Sequence, residues 1–207
     1  MKHISDILTI KKHVEFKFKE KGSQFIGLAY PAETKEEAED HLSDIKNKYY
    51  DATHHCYCYH FLDNQFKYSD DGEPNGTAGI RILNAIQHFG LTNLLVVVVR
   101  YYGGVKLGVG PLGKAYYQGA FGVLEEAAKI KKNNYSRMKI TYKFDQTSQV
   151  HHLLTKFNAV ITKNLYEEKP AIEFLIQPKC AADLGNELIE QTSAQAELIS
   201  IEENIFI

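Results

Sequence analysis

Two glycine-rich loops, each placed before a predicted helix, constrain this chain more than any other feature. The first covers residues 70–79 and reads DDGEPNGTAG, and the second covers residues 100–110 and reads RYYGGVKLGVG. Loops of this kind expose backbone N–H groups at the start of a helix, and such groups bind anions when cationic side chains lie nearby. The sequence therefore favours an anion or phosphate site formed where the two loops meet.

The second loop supplies the residues that we expect to contact nucleic acid or phosphate. Two cations, two tyrosines that can stack on bases and three glycine amides contribute: Arg100, Lys106, Tyr101, Tyr102, Gly103, Gly104 and Gly108. An alternative is that the glycines only permit a tight turn from strand to helix. Neither a dinucleotide fold nor a P-loop is indicated, because no strand ending in an acid follows and Val109 stands where the P-loop lysine would be.

The first loop carries three carboxylates within four residues. Asp70, Asp71 and Glu73 could bind Mg²⁺ or act as acid and base, although Asp-Gly and Glu-Pro sequences also form turns for local reasons. Together with Thr77 and His54 they are the expected partners of the second loop.

A row of histidines and cysteines alternates along a predicted strand: His54, Cys56, Cys58 and His60. Side chains at i and i+2 on a strand are about 6.5–7 Å apart, so the outer pair is about 20 Å apart. Four ligands at about 2.0–2.3 Å from one metal ion cannot come from such a row. We therefore expect no metal and no cofactor there, and buried cysteines instead.

Net charge and residue composition limit the kinds of binding partner that we expect. The formal charge is −2, with 17 basic and 16 acidic residues over 1–134 (net +1) and 7 basic and 10 acidic over 135–207 (net −3). A polyanion should therefore favour the first part, and recognition of a specific DNA sequence is not expected. Three cysteines without framework spacing, no membrane-length apolar run and no signal core predict a cytoplasmic protein without a membrane partner.

Periodicity predicts an α+β chain of two domains. In the first domain, residues 1–132, we expect strands at 14–18, 24–30, 55–62, 66–69 and 94–99, with a hairpin turn at Asp63-Asn64, and helices at 34–49, 77–89 and 111–129. The helix at 34–49 starts with a capping box, Thr34 and Glu37. The run 94–99 is apolar throughout, which indicates a strand covered on both faces. Lys131-Lys132-Asn133-Asn134 is taken as a polar break between the domains.

The second domain, residues 135–207, has the element order of a ferredoxin-like fold. Strands are predicted at 137–144, 159–166, 171–177 and 197–206, and helices at 147–157 and 181–191. This β-α-β-β-α-β order within about 70 residues is typical of that fold.

Several long motifs occur in order across residues 20–120. They are GSxFIG at 22–27, ATHxCxxY at 52–59, DDGEPxGTAG at 70–79, NxxVVVVRYYGGxKLG at 93–108, and Ala115-Tyr116. On these motifs the chain resembles the YigZ/IMPACT family in its bacterial two-domain form. One departure is Gly110-Pro111 where the family often has two glycines, which removes one donor N–H from a helix-start anion site.

The resemblance implies a fold for each domain and a cellular process. The first domain would resemble a small ribosomal-subunit protein and domain IV of elongation factor G, including a left-handed β-α-β crossover. The second would resemble domain V of that factor. Eukaryotic relatives are regulators of translation that act through a kinase-activation pathway and carry an extra N-terminal domain. Because this chain starts directly with its first strand, we do not transfer that regulatory partner.

Three functions follow as hypotheses. The first is a translation-associated protein that binds RNA or the ribosome and that we expect to act by binding rather than by catalysis. The second is a Mg²⁺-dependent enzyme on a small phosphorylated compound or nucleotide, which requires the carboxylates and Lys106 to lie within about 6 Å. The third is a protein-interaction module whose motifs maintain the fold.

Overall fold

The computed structural model of the chain describes residues 4–62, 65–166 and 168–207. Contacts divide it into two compact units, one of residues Leu8–Lys131 and one of Lys132–Ile207 together with the chain up to Ile7. The hairpin turn predicted at Asp63-Asn64 lies outside the described residues.

The first unit is built on an antiparallel sheet with helices on both faces. Its elements are β2 (Val14–Glu20), β3 (Ser23–Pro31), α1 (Lys35–Lys48), β4 (His54–His60), β5 (Phe66–Ser69), α2 (Gly79–His88), β6 (Leu94–Tyr101) and α3 (Val109–Glu126). The strand order is β2-β3-β6-β4-β5, and each neighbouring pair is antiparallel. The predicted α+β class is confirmed.

The central strand β6 explains why residues 94–99 are apolar without alternation. Val96 and Val98 pack into one core with α2 and α3, whereas Val97 and Val99 pack into a second core with α1. Both faces of the strand are therefore removed from water, as its sequence predicted. Helices α2 and α3 share one face of the sheet, and α1 lies on the other.

Local signals set the start of α1. The Thr34 hydroxyl accepts a hydrogen bond from the Glu37 N–H (3.2 Å), and the Glu37 carboxylate accepts one from the Glu33 N–H (2.8 Å). These contacts satisfy N–H groups near the helix start that have no partner within the helix. The prediction of a helix starting after Thr34 is confirmed.

The second unit contains β7 (Lys129–Thr141) from Lys132 onward, α4 (Thr147–Lys156), β8 (Val160–Tyr166), β9 (Pro170–Ile176), α5 (Pro178–Thr192) and β10 (Glu197–Phe206). The order β10-β7-β9-β8 is antiparallel throughout, and one apolar core lies between this sheet and the two helices. This is the predicted β-α-β-β-α-β arrangement.

The polar segment 131–134, which the sequence suggests is a break, is extended strand. It lies inside β7, where the Asn134 N–H donates to the Ser5 carbonyl (2.9 Å) and the N–H of Asn133 to the Ile207 carbonyl (2.8 Å). Both acceptors come from distant parts of the chain. Ser5 directly precedes β1 (Asp6–Ile10), a strand that was not predicted and that pairs with β7. Long-range pairing therefore keeps a polar sequence extended.

Candidate nucleic-acid interface

Asp70 organises the first glycine-rich loop by capping α2. Its carboxylate accepts hydrogen bonds from the N–H groups of Gly76 (2.9 Å), Ala78 (2.9 Å) and Gly79 (2.8 Å). One loop amide and the two amides at the helix start, those of Ala78 and Gly79, thus share one anion, which the positive potential of the helix start also favours. Both carboxylate oxygens of Asp70 therefore accept hydrogen bonds from the protein's own backbone.

Two further polar residues of the first loop, Asp71 and Thr77, also have internal partners. Asp71 Oδ2 accepts from the His55 N–H (2.6 Å), and the Asp71 carbonyl lies 2.8 Å from His54 Nδ1. The buried Thr77 hydroxyl donates to the Pro74 carbonyl (2.6 Å). The loop is a folded structural unit rather than an open set of ligands.

Glu73 is the point where the two loops meet. Its Oε1 atom lies 2.5 Å from Arg100 Nη1 and 2.7 Å from the Tyr116 hydroxyl, which donates to it, and 3.7 Å from His54 Nε2. The side chains of Glu73 and Arg100 are both 5% exposed, so the ion pair is shielded from water. Burial, with Cys56 and Glu73 close by, raises the pKa of Tyr116, which keeps that hydroxyl protonated as a donor.

Arg100 is not the exposed phosphate contact that the sequence suggested. It belongs to β6, paired with Phe25 on one side and His54 on the other, and only 4% of the residue is exposed. Its second terminal nitrogen donates to Ser23 Oγ (3.3 Å), and its guanidinium lies 5.4 Å from the Tyr102 ring centroid. Strand register turns this cation inward, where Glu73 neutralises it.

The hypothesis of a Mg²⁺ site in the first loop also requires correction. Asp70, Asp71 and Glu73 accept from three separate sets of internal donors, so their oxygens do not converge on one point. Among the residues that the structure describes, no group of three His, Cys, Asp or Glu side chains is arranged to hold a metal ion.

The two tyrosines of the second loop differ in environment. Tyr101 packs on the α1 side of the sheet, and its hydroxyl donates to Asp51 (2.8 Å); burial and this carboxylate raise its pKa to about 12. Tyr102 is 44% exposed, and its N–H donates to Thr53 Oγ1 (3.0 Å). Of the two, Tyr102 therefore has the more exposed side chain.

The three glycines of the second loop also differ in environment. The Gly103 N–H donates to Ser23 Oγ (3.2 Å), so it has an internal partner. Gly104 and Gly108 are exposed and adopt positive φ of 81° and 87°, a conformation that other residues rarely take. Lys106 lies between them, exposed, with no ion pair to any residue in the described part of the chain. The residue that precedes α3 is Gly108, which has no side chain to cap the helix start.

A groove between α2 and α3 was not predicted. It has a volume of about 410 Å³ and is lined by Arg81, Asn84, Gly110, Gly113, Lys114 and Tyr117. Arg81 lies across Gly113, where an added Cβ would be 3.3 Å from its Nε. Arg81 and Lys114 are both exposed, and neither forms an ion pair within the described ranges. Gly110 joins this groove to the second glycine-rich loop.

A charge pattern in the sequence could have revealed the groove. From Pro74 to Leu124 the chain contains no Asp or Glu, although it contains Arg81, Arg100, Lys106 and Lys114. Because Arg100 is paired with Glu73, the exposed cations of this segment are the other three. All of α2, the second loop and most of α3 therefore present only positive formal charge.

The fold and this cationic face define a two-domain α+β protein with a candidate anion-binding surface. Residues 21–124 match the Impact N-terminal domain, and the chain belongs to the IMPACT family. It is 32% identical over 199 residues to an IMPACT family member of Haemophilus influenzae, covering 93% of this chain and 95% of that one. It is 28% identical to the IMPACT family member YigZ of Escherichia coli, covering 88% and 92%. A solved structure titled as that of a hypothetical protein superposes with a TM-score of 0.71 at 27% identity, covering 96% of this chain and 98% of the other.

No helix among the described residues is long and apolar enough to cross a membrane.

The cysteines of β4 give a first testable prediction. Cys56 and Cys58 are buried, and burial raises the pKa of both thiols, that of Cys58 to about 12. Since the thiolate is the reactive form, we expect neither to react with a chromogenic disulfide reagent at about pH 8 in the folded protein. The partly exposed Cys180 should react. All three should react in denaturant, whereas rapid labelling of three thiols without denaturant would contradict the burial.

Proposed function

We propose that this protein binds RNA through the phosphate backbone on the face formed by α2, the second glycine-rich loop and the start of α3, and that it acts in translation. The observation that carries the proposal is the groove between α2 and α3, where Arg81 and Lys114 are exposed beside each other without carboxylate partners in the described chain. Cations that are not neutralised by the protein itself are free to neutralise phosphates.

Three further observations support the same face. Lys106 lies in the loop that leads into α3, next to the open backbone of Gly104 and Gly108. Asn84 and Tyr117 add polar groups to the groove. The absence of acidic residues from Pro74 to Leu124 means that no nearby carboxylate of that segment repels a polyanion. The association with translation rests on membership of the IMPACT family.

In this proposal Arg100 has a positioning role. Its ion pair with Glu73 and its contact with Ser23 fix the end of β6, from which the second loop starts. The loop then continues directly into α3, so the position of Lys106 and of the helix start depends on this buried network. Binding uses the exposed cations, and the buried pair holds their backbone in place.

The test is the affinity for a labelled RNA oligonucleotide by fluorescence anisotropy at several salt concentrations. Arg81→Ala, Lys106→Ala and Lys114→Ala should each weaken binding and lower the slope of log K against log salt by about 0.7–0.9 if one phosphate contact is lost. The matched control is Lys46→Ala, which removes an exposed lysine from α1 on the opposite face of the sheet. Equal affinities at low salt for the control and for the Arg81, Lys106 and Lys114 variants would contradict the proposal.

Sedimentation of ribosomes with the protein tests the association with translation separately. We expect the protein to migrate with ribosomal particles at low salt and the triple variant Arg81→Ala/Lys106→Ala/Lys114→Ala to remain at the top of the gradient. Co-migration of the triple variant would show that this face is not responsible.

A further inference from the structure

Two exposed aromatic rings lie side by side on an edge strand of the first unit. Phe66 and Tyr68 are 46% and 41% exposed, and their ring planes are inclined by only 7° with centroids 6.3 Å apart. They occupy alternate positions of β5, which forms one end of the sheet order and pairs with β4. The core of the unit leaves much of these two rings uncovered.

The ring pair lies on the same side of the sheet as the cationic groove. Tyr68 pairs with Cys58, which belongs to the core beneath α2 and α3. A Cβ added at Gly79 would be 2.7 Å from Tyr68 Cδ2, so the tyrosine ring lies against the first turn of α2.

The ring pair and the groove lie on opposite sides of that same turn of α2. Arg81 is two residues after Gly79, and on a helix of 3.6 residues per turn that separation rotates a side chain by about 200°. Arg81 is accordingly directed to α3, against Gly113, while Gly79 is directed to β5. A helix is about 10–12 Å across with its side chains, so one short oligonucleotide can reach both features.

We propose that Phe66 and Tyr68 form a stacking platform for the unpaired bases of single-stranded RNA whose phosphates bind at the Arg81–Lys114 groove. This inference rests on the proposed function, and it adds the kind of RNA that is bound. Flat aromatic rings stack on bases without regard to sequence, and only unpaired bases expose their faces to such a platform. Cations on one side of α2 and rings on the other can therefore bind the phosphates and the bases of different nucleotides in one strand.

Substitution by leucine tests the platform while it keeps an apolar side chain against Gly79. Phe66→Leu/Tyr68→Leu should weaken binding of a single-stranded RNA oligonucleotide by at least about fivefold, the lower end of the loss known for one base-stacking ring. The salt slope should not change, because no phosphate contact is removed. Binding of a duplex RNA of the same length should be the same for the variant and the unaltered protein. The control is Tyr50→Leu, since Tyr50 is 83% exposed and follows α1.

A tryptophan reporter provides a second measurement that retains a ring. The chain contains no tryptophan, so emission from Phe66→Trp reports on this position alone. We expect the single strand to quench this emission as bases stack on the indole, and we expect no quenching in Tyr50→Trp. Circular dichroism of each variant checks that it is folded.

The outcomes separate the two proposals. Binding that depends on Arg81 and Lys114, but is equal in Phe66→Leu/Tyr68→Leu and unquenched in Phe66→Trp, would overturn the platform and leave the proposed function standing. No binding of single-stranded or duplex RNA at low salt would overturn both. A change in oligomeric state of the leucine variant with unchanged RNA affinity would assign these rings to pairing of β5 with another chain, and would also overturn the platform.

Discussion

Arg100→Met is expected to destabilise the Leu8–Lys131 unit by about 3–5 kcal/mol, the usual cost of removing one partner from a buried ion pair. The carboxylate of Glu73 would remain 5% exposed with the Tyr116 hydroxyl as its principal donor. The loss should be seen in urea unfolding followed by labelling of Cys56 and Cys58, because both thiols are buried in this unit. This readout reports on the first unit even if the second unfolds separately.

Two control variants test whether burial of the ion pair causes the destabilisation by Arg100→Met. Lys35→Met removes a partner from the Lys35–Glu39 pair on α1, whose side chains are about half exposed, and should cost less than about 1 kcal/mol. The double variant Glu73→Gln/Arg100→Met removes both charges, so it should be less destabilised than the two single variants added together. A cost for Arg100→Met no larger than that for Lys35→Met would contradict a buried pair.

Gly27→Ala should be equally damaging for a steric reason. Gly27 lies in β3 directly beneath α3, and an added Cβ would overlap the carbonyl oxygen of Gly119. That oxygen belongs to the backbone of α3, so it cannot rotate away as a side chain could. The helix would have to lift from the sheet, and we expect a loss of about 3 kcal/mol or more in the free energy of unfolding.

The same urea experiment measures this loss, with Gly110→Ala as the matched control. Gly110 also lies in α3, but a Cβ there would have no atom within 4 Å, and its φ is not positive. The control should be neutral or slightly stabilising, because alanine has the higher helix propensity. Similar stability for Gly27→Ala and Gly110→Ala would mean that α3 does not approach β3 as closely as the structure has it.

Elements with local signals could be predicted from the sequence. The capping box at Thr34 fixed the start of α1, and the unbroken apolar run of β6 indicated a strand covered on both faces. In each case the determining residues are within a few positions of one another. The strand β1 and the polar first half of β7 could not be predicted, because hydrogen bonds to remote segments keep them extended.

In the candidate site, too, some features could be predicted from nearby residues and others depend on remote segments. The two loops are recognisable in the sequence, and the structure brings Glu73 of one to Arg100 of the other. The sequence alone suggests that Arg100 is an exposed cation, because a charge beside glycines resembles an anion site. The pairing of Arg100 with Phe25 and His54 inside the sheet, which turns the guanidinium inward, depends on strands far apart in the chain. The groove of Arg81 and Lys114 was missed because its two walls are different helices.

The α+β class, the element order of the second unit, most helices and strands, and the family motifs all follow from the amino-acid sequence, since these depend on short-range periodicity, capping and residue type. Which cations remain available depends instead on how remote segments pack together. Strand register buries Arg100 against Glu73, and the packing of α2 on α3 leaves Arg81 and Lys114 together at the surface. This difference arises because desolvation and charge pairing depend on neighbours in space, and those neighbours are tens of residues away along the chain.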